Sequence, residues 1–155
     1  MAVTHVAYEA EGWGVGELWL EGGRVLWHEL PFPARKAQVT TCHLGVVERL
    51  RAYFAGGEVS LDDVDVDLEY ETPFFEGCAL ALRAVPRGEV VTYGELAALA
   101  GAPGAARAAG SFCARNRLGL FVPCHRVVGA GGLGSYGSLG VEYKRRLLEL
   151  ENAPL

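Results

Sequence analysis

The chain has 155 residues, half of them apolar and 21% charged, which is the balance of a globular protein and excludes a disordered one. That length suits one ordinary domain or two small lobes, and neither a membrane-length apolar run of roughly 20 residues nor a basic-then-apolar leader is present. The net charge of −5 argues at first sight against a polyanionic partner, and four cysteines without CxxC spacing argue against a disulfide framework and a zinc finger, pointing to free thiols in a reducing compartment, the cytoplasm.

In chain order, residues 3–8 and 14–20 read as strands. Gly22-Gly23 makes a tight turn into a third strand over 25–30, so a hairpin is expected. Leu44, Val47, Leu50 and Phe54 have helical spacing, which predicts a helix over 43–54 that Gly56-Gly57 stops. Residues 61–68 alternate, with Val64, Val66 and Leu68 inward and Asp63, Asp65 and Asp67 outward, which predicts a half-exposed strand. Nothing in this first lobe, residues 1–72, forms a constellation that carries chemistry. Its expected role is structural.

From Thr72-Pro73 the signals turn helical. A helix starts there, carries Phe74, Cys78, Leu80, Leu82 and Val85, and ends at Pro86-Arg87-Gly88. Thr92 with Glu95 three residues on is a capping box, opening a short helix over 93–100. Gly101-Ala102-Pro103-Gly104 is a turn, and 105–114 forms a second helix, so the pair matches a helix-turn-helix. Ala105, Ala106, Ala108, Ala109, Gly110 and Ser111 leave that second helix nearly bare around Arg107. Such a helix either packs closely against its neighbours or is slim enough for a narrow groove, with one Arg projecting. It has no row of base-reading Asn, Gln or Arg, which argues against a sequence-specific transcription factor.

The charge is unevenly distributed. Residues 1–72 hold 5 basic and 13 acidic side chains, whereas residues 73–155 hold 9 and 6. No acid lies between Glu95 and Glu142, while Arg107, Arg115, Arg117 and Arg126 do. A local positive field of this kind can steer a polyanion despite the total.

Within that stretch, Pro123-Cys124-His125-Arg126 places a thiol beside an imidazole. In an extended segment the two side chains would point to opposite sides, so proton transfer would need a water or a bend. Acyl transfer needs an oxyanion hole, and no residue here identifies one. An activated thiolate suits in-line attack on an unhindered alkyl carbon, and the thioether formed is inert, so such a protein acts once.

Residues 72–151 resemble the catalytic domain of the methylated-DNA–protein-cysteine methyltransferases, suicide proteins that move an alkyl group from O6 of guanine to their own cysteine. The resemblance rests on Thr72-Pro73-Phe74, residues 91–97 (Val-Thr-Tyr-Gly-Glu-Leu-Ala), Ala105-Ala106-Arg107-Ala108, Asn116, Pro123-Cys124-His125-Arg126-Val127-Val128, Tyr136, Leu147-Leu148 and Glu151. It implies an α/β fold: a ribonuclease-H-like α/β lobe over 1–72, then a mainly helical DNA-binding and alkyl-acceptor domain over 73–155 with a helix-turn-helix.

By the same resemblance Cys124 is the acceptor, His125 the base acting through water, and Glu151 the carboxylate that orients it. Asn116 braces the turn, and Tyr93 helps rotate the nucleotide and donates to N3 of the departing guanine. Arg107 fills the space of the flipped base. The DNA surface comprises Ala105, Ala106, Arg107, Gly110, Arg115 and Arg117; the pocket comprises Val127, Tyr136 and a serine, Ser138 or Ser135. The implied partner is double-stranded DNA carrying alkylated guanine, bound in the minor groove with little sequence preference by a monomer. No cofactor, metal or membrane is expected. Arg117 and Gly119 stand where many members have prolines, which implies a more flexible approach to the pocket and offers Arg117 as a phosphate contact. The rival readings are a non-catalytic alkyl-DNA sensor and a cysteine hydrolase; the presence of Cys124 speaks against the first.

Overall fold

The computed structural model describes residues 2–41 and 44–155, in a mixed α/β architecture of two small sheets and five helices. The chain divides into two compact units, Met1–Asp67 with Arg117–Phe121, and Leu68–Asn116 with Val122–Leu155. The expected Cys42 thiol and the start of the first helix at His43 lie outside the described residues.

In the first unit, β1 (Val3–Ala10), β2 (Gly14–Glu21) and β3 (Arg24–Phe32) form an antiparallel sheet in that order. Gly22 and Gly23 both take positive φ, 58° and 84°, the backbone that a two-residue hairpin needs to match the twist of its strands. Helix α1 (Gly45–Phe54) buries Val47, Leu50, Tyr53 and Phe54. The expected strand over 61–68 does not form. Its start is taken by a turn, with Val64 N–H bonded to Leu61 O, and only Val66 pairs, through one parallel bridge to Val25. Further along the same edge of β3, His28 N–H donates to Arg117 O, so the edge is divided between two segments.

Residues 117–121 are fastened to this unit from inside. The carbonyl of Gly119 can only accept, so His28 Nδ1 carries the proton it receives at 2.7 Å, and His28 Nε2 accepts from the Tyr8 hydroxyl at 2.6 Å. Gly119 also lies where a Cβ would come 2.4 Å from Leu30 Cδ1. Arg117 ion-pairs with Asp67 at 3.2 Å and donates to its carbonyl at 2.7 Å. The segment that lacks prolines is thus held by specific bonds.

Burial holds His28 neutral, lowering its pKa to about 4 against the opposing effect of its Gly119 bond; nearby Arg35 lowers it further. The unfolded chain, with an ordinary histidine near 6.5, therefore takes up the proton first as the pH falls, and stability is lost between about 6.5 and 4. Urea unfolding at pH 5 should show about 2 kcal/mol less stability from this group than at pH 7. In His28→Gln, which cannot titrate, that increment should be missing; an unchanged pH dependence would refute the assignment.

The second unit is mainly helical. Helix α2 (Pro73–Arg83) starts with Pro at its first position, and the Thr72 hydroxyl accepts from Phe75 N–H at 3.1 Å. Its core stripe is Phe75, Cys78, Ala79 and Leu82; the expected Leu80 is 61% exposed, because the true stripe steps by three and four from Phe75 rather than from Phe74. Strand β4 (Val91–Thr92) leads into α3 (Tyr93–Leu99), whose capping box is complete: Thr92 Oγ1 accepts from Glu95 N–H and Glu95 Oε1 from Thr92 N–H. After a turn comes α4 (Ala106–Arg115), which buries Ala109 and Phe112. Strand β5 (Val127–Val128) pairs in parallel with β4, and α5 (Val141–Leu150) closes the unit, burying Lys144, Leu147 and Leu148. Phe112 packs against Phe75 and Tyr70 with ring centroids 5.6 and 5.3 Å away, and a fully buried ring of this kind contributes roughly 1.5–3 kcal/mol.

Candidate active site around Cys124

The reactive segment is a compact double turn and not an extended segment. Pro123 (φ −79°, ψ 69°) is the centre of an inverse γ-turn closed by Cys124 N–H to Val122 O at 2.8 Å. Cys124–Arg126 then form one turn of 3-10 helix, in which successive side chains diverge by about 120°. Thiol and imidazole still do not face each other, for a different geometric reason. The turn is braced from the end of α4, where Asn116 Nδ2 donates to Val122 O at 2.8 Å.

His125 is fully buried. Its Nε2 lies 2.7 Å from Glu151 Oε2, and Arg126 grips the same carboxylate twice, Nε to Oε1 and Nη2 to Oε2, both at 2.9 Å. Burial alone would raise the Glu151 carboxyl; the bonds from His125 and Arg126 outweigh it and hold the group well below the usual carboxylate range. A carboxylate only accepts, so Nε2 carries the imidazole proton and Nδ1 keeps its lone pair. Burial lowers the pKa of His125 despite Glu151, leaving the ring neutral at pH 7. Nδ1 is the one buried side-chain polar atom without a hydrogen-bond partner among the described residues. The arrangement is a neutral base with one free lone pair.

Cys124 is buried, and burial raises its thiol pKa; hydrogen bonds from the Asn116 and Tyr136 side chains and the charge of Lys144 act in the opposite direction. The resting sulfur is therefore a thiol that needs a base, with three groups ready to stabilise the thiolate. Cys78 and Cys113 are free too, but burial pushes both up, Cys78 to about 11, and neither has such partners at hand apart from the Lys144 charge near Cys113.

Lys144 was not legible as a site residue by composition, yet it lies at the centre of the cluster. It is fully buried on α5, with Nζ 3.4 Å from Tyr93 Oη and 3.2 Å from Ser135 O. Burial lowers its pKa, and the Cys113 and Cys124 sulfurs raise it. The available signal was its place in the stripe Lys144, Leu147, Leu148, Glu151, at helical steps of three, one and three. Tyr93 is kept protonated by burial and by the nearby Cys113, against hydrogen bonds from Ser135.

The expected acceptor set, Cys124, His125, Glu151, Asn116 and Tyr93, is thus gathered in one unit, with Val127 buried in β5 and Tyr136 bonded to the sulfur. Ser135 and Ser138 are both exposed; Ser135 meets Tyr93, and Ser138 lies in the turn Gly137–Leu139. On α4 and its approach, Arg107 and Arg115 are exposed, and Ala105, Ala106 and Gly110 are half-buried. The four arginines of the acid-free stretch are not equivalent, because Arg126 is committed to Glu151 and Val85 O, and Arg117 to Asp67. Among the described residues no group of three or more His, Cys, Asp or Glu could hold a metal ion.

The chain resembles several known proteins. Residues 73–153 match the family model described as 6-O-methylguanine DNA methyltransferase, DNA binding domain. The chain is 49% identical over 110 residues to the methylated-DNA–protein-cysteine methyltransferase of Mycobacterium tuberculosis, a match covering 70% of this chain and 65% of that relative's length. Among solved structures, Mycobacterium tuberculosis O6-methylguanine methyltransferase superimposes with a TM-score of 0.82 at 34% identity, covering 99% of this chain and 96% of that one. Mycobacterium tuberculosis OGT in complex with DNA gives 0.79 at 37%, covering 97% and 94%. The chain belongs to the O6-methylguanine-DNA methyltransferase family. No described helix is long and apolar enough to cross a membrane.

Proposed function

We propose that the chain repairs DNA by a single-turnover transfer of the alkyl group from O6 of guanine to Sγ of Cys124. The observation that carries this reading is the free Nδ1 lone pair of a neutral His125, held by Glu151, within the turn that presents a buried thiol. His125 takes the thiol proton through one water. The thiolate attacks the alkyl carbon, the S–C bond forms as the C–O6 bond breaks, and the electron pair leaves with guanine. Tyr93, held protonated beside Lys144, donates to N3 of the departing base. Tyr136 walls the pocket, and the backbone of Cys124 and Val127 receives the exocyclic amine of guanine. Of the two serines, Ser135 is the pocket residue favoured by its bonds to Tyr93.

Residues 73–155 carry both DNA binding and acceptance, with α3 and α4 as a helix-turn-helix. The slim surface of α4 enters the minor groove of duplex DNA, with Ala105, Ala106, Gly110 and Arg115 along the backbone and Arg107 in the stack. The Mycobacterium tuberculosis OGT solved with DNA supports a DNA partner. Arg117 reaches a phosphate only by leaving Asp67, so it is the weakest of the proposed DNA contacts. Residues 1–72 serve as a ribonuclease-H-like structural lobe, and the protein acts as a cytoplasmic monomer without metal or cofactor. Duplex DNA carrying radiolabelled O6-methylguanine tests the reading. Label should move to the protein, plateau at one per chain, and stay on the DNA with Cys124→Ala. Release of label to solvent over many turnovers would indicate a hydrolase, and tight binding without transfer a sensor.

A further inference from the structure

We infer that Tyr70 is a positioning residue for the acceptor thiol, acting through Asn116. The Tyr70 hydroxyl donates to Asn116 Oδ1 at 3.2 Å, and Asn116 Nδ2 donates to Val122 O at 2.8 Å. The same side chain bonds the Cys124 sulfur. An amide has two N–H donors and one carbonyl acceptor. Here the donors serve the turn that carries the thiol, and the acceptor faces Tyr70. A flipped amide would set its oxygen against the Val122 carbonyl, so the Tyr70 and Val122 bonds together hold one orientation, the one that offers N–H to sulfur. The O–H, amide and sulfur form a chain in which each bond polarises the next, and an N–H bonded to sulfur favours the thiolate.

Tyr70 itself is held. Its half-buried ring packs against Phe112 of α4 at 5.3 Å, and Phe112 packs on Phe75. The device therefore runs from the start of the helical unit to the end of α4 and into the reactive turn. The other charged or titratable groups that act on the Cys124 sulfur are Lys144 of α5, Tyr136 of the glycine-rich loop, Cys113 of α4 and Tyr93 of α3. Tyr70→Phe substitutes none of these groups.

The inference rests on Cys124 being the acceptor, and the test separates the two. Tyr70→Phe keeps the ring and removes only the hydroxyl. Iodoacetamide labelling of Cys124, followed by peptide mass against pH, reads thiol ionisation whether or not any alkyl group is transferred from DNA. Tyr70→Phe should move the labelling midpoint to higher pH and slow methyl transfer from duplex DNA roughly fivefold, the worth of one neutral hydrogen bond. DNA affinity should be unchanged. In an Asn116→Ala background the same substitution should add nothing, because the route to sulfur is already cut. An unchanged midpoint in Tyr70→Phe, with or without lower thermal stability, would overturn the inference. So would equal slowing in the Asn116→Ala background. A parent protein that accepts no methyl group would instead overturn the proposed function, while the midpoint still decides the role of Tyr70.

Discussion

Glu151→Gln should slow methyl transfer by about two orders of magnitude, the lower end of what a positioned proton acceptor contributes. Three consequences act together. Nε2 of His125 loses the charged acceptor that fixes its tautomer, so Nδ1 no longer holds its lone pair reliably. The neutral amide no longer offsets the burial of the imidazole, so the base weakens. Arg126 loses both bonds to a carboxylate while its side chain remains only 13% exposed. Removing one partner of a buried pair costs about 3–5 kcal/mol, and the partial exposure of Arg126 puts this case near the lower figure. Urea unfolding and single-turnover kinetics read the two effects separately. A variant that is destabilised but transfers at the parent rate would remove Glu151 from the chemistry and leave it a structural anchor.

The second large effect is expected at Arg107, and it depends on the substrate. Arg107 is exposed on α4 and is not among the groups that shift the Cys124 thiol. If it fills the space of an extruded base, Arg107→Ala must bear the cost of an empty stack, a few kcal/mol, or roughly a hundredfold in rate on duplex DNA. Reaction with free O6-alkylguanine needs no extrusion and should be nearly unchanged. Comparing the two rate constants in the same preparation gives the answer. Equal slowing on both substrates would show that Arg107 acts on the pocket and not on the duplex.

Local chemistry made much of the architecture readable before any coordinates. Gly22-Gly23 specified a hairpin because glycine readily takes the positive φ of a two-residue turn that matches the strand twist, and both have it. Thr92 and Glu95 specified the start of α3 because their reciprocal bonds satisfy donors that nothing else reaches. What escaped was set by partners far along the chain. Residues 61–68 have a strand's alternation, but the edge of β3 that would pair with them also receives Arg117, and a turn takes the first residues. Arg126 read as free positive charge because Glu151, 25 residues away, cannot be seen as its partner from spacing. Lys144 belongs to no motif that singles it out, although its place in an apolar stripe marks it as buried. The Cys124–His125 pair was legible as chemistry but not as geometry. The γ-turn at Pro123 and the 3-10 turn after it depend on the brace from Asn116, whose own orientation involves Tyr70.

The most direct test is to locate the transferred group. After incubation with a duplex containing one O6-methylguanine, the protein is digested and its peptides are weighed. One methyl group should replace the thiol hydrogen of Cys124, at no more than one per chain, with Cys42, Cys78 and Cys113 unmodified. Methyl on another residue, or repaired DNA with no methylated peptide, would contradict the account.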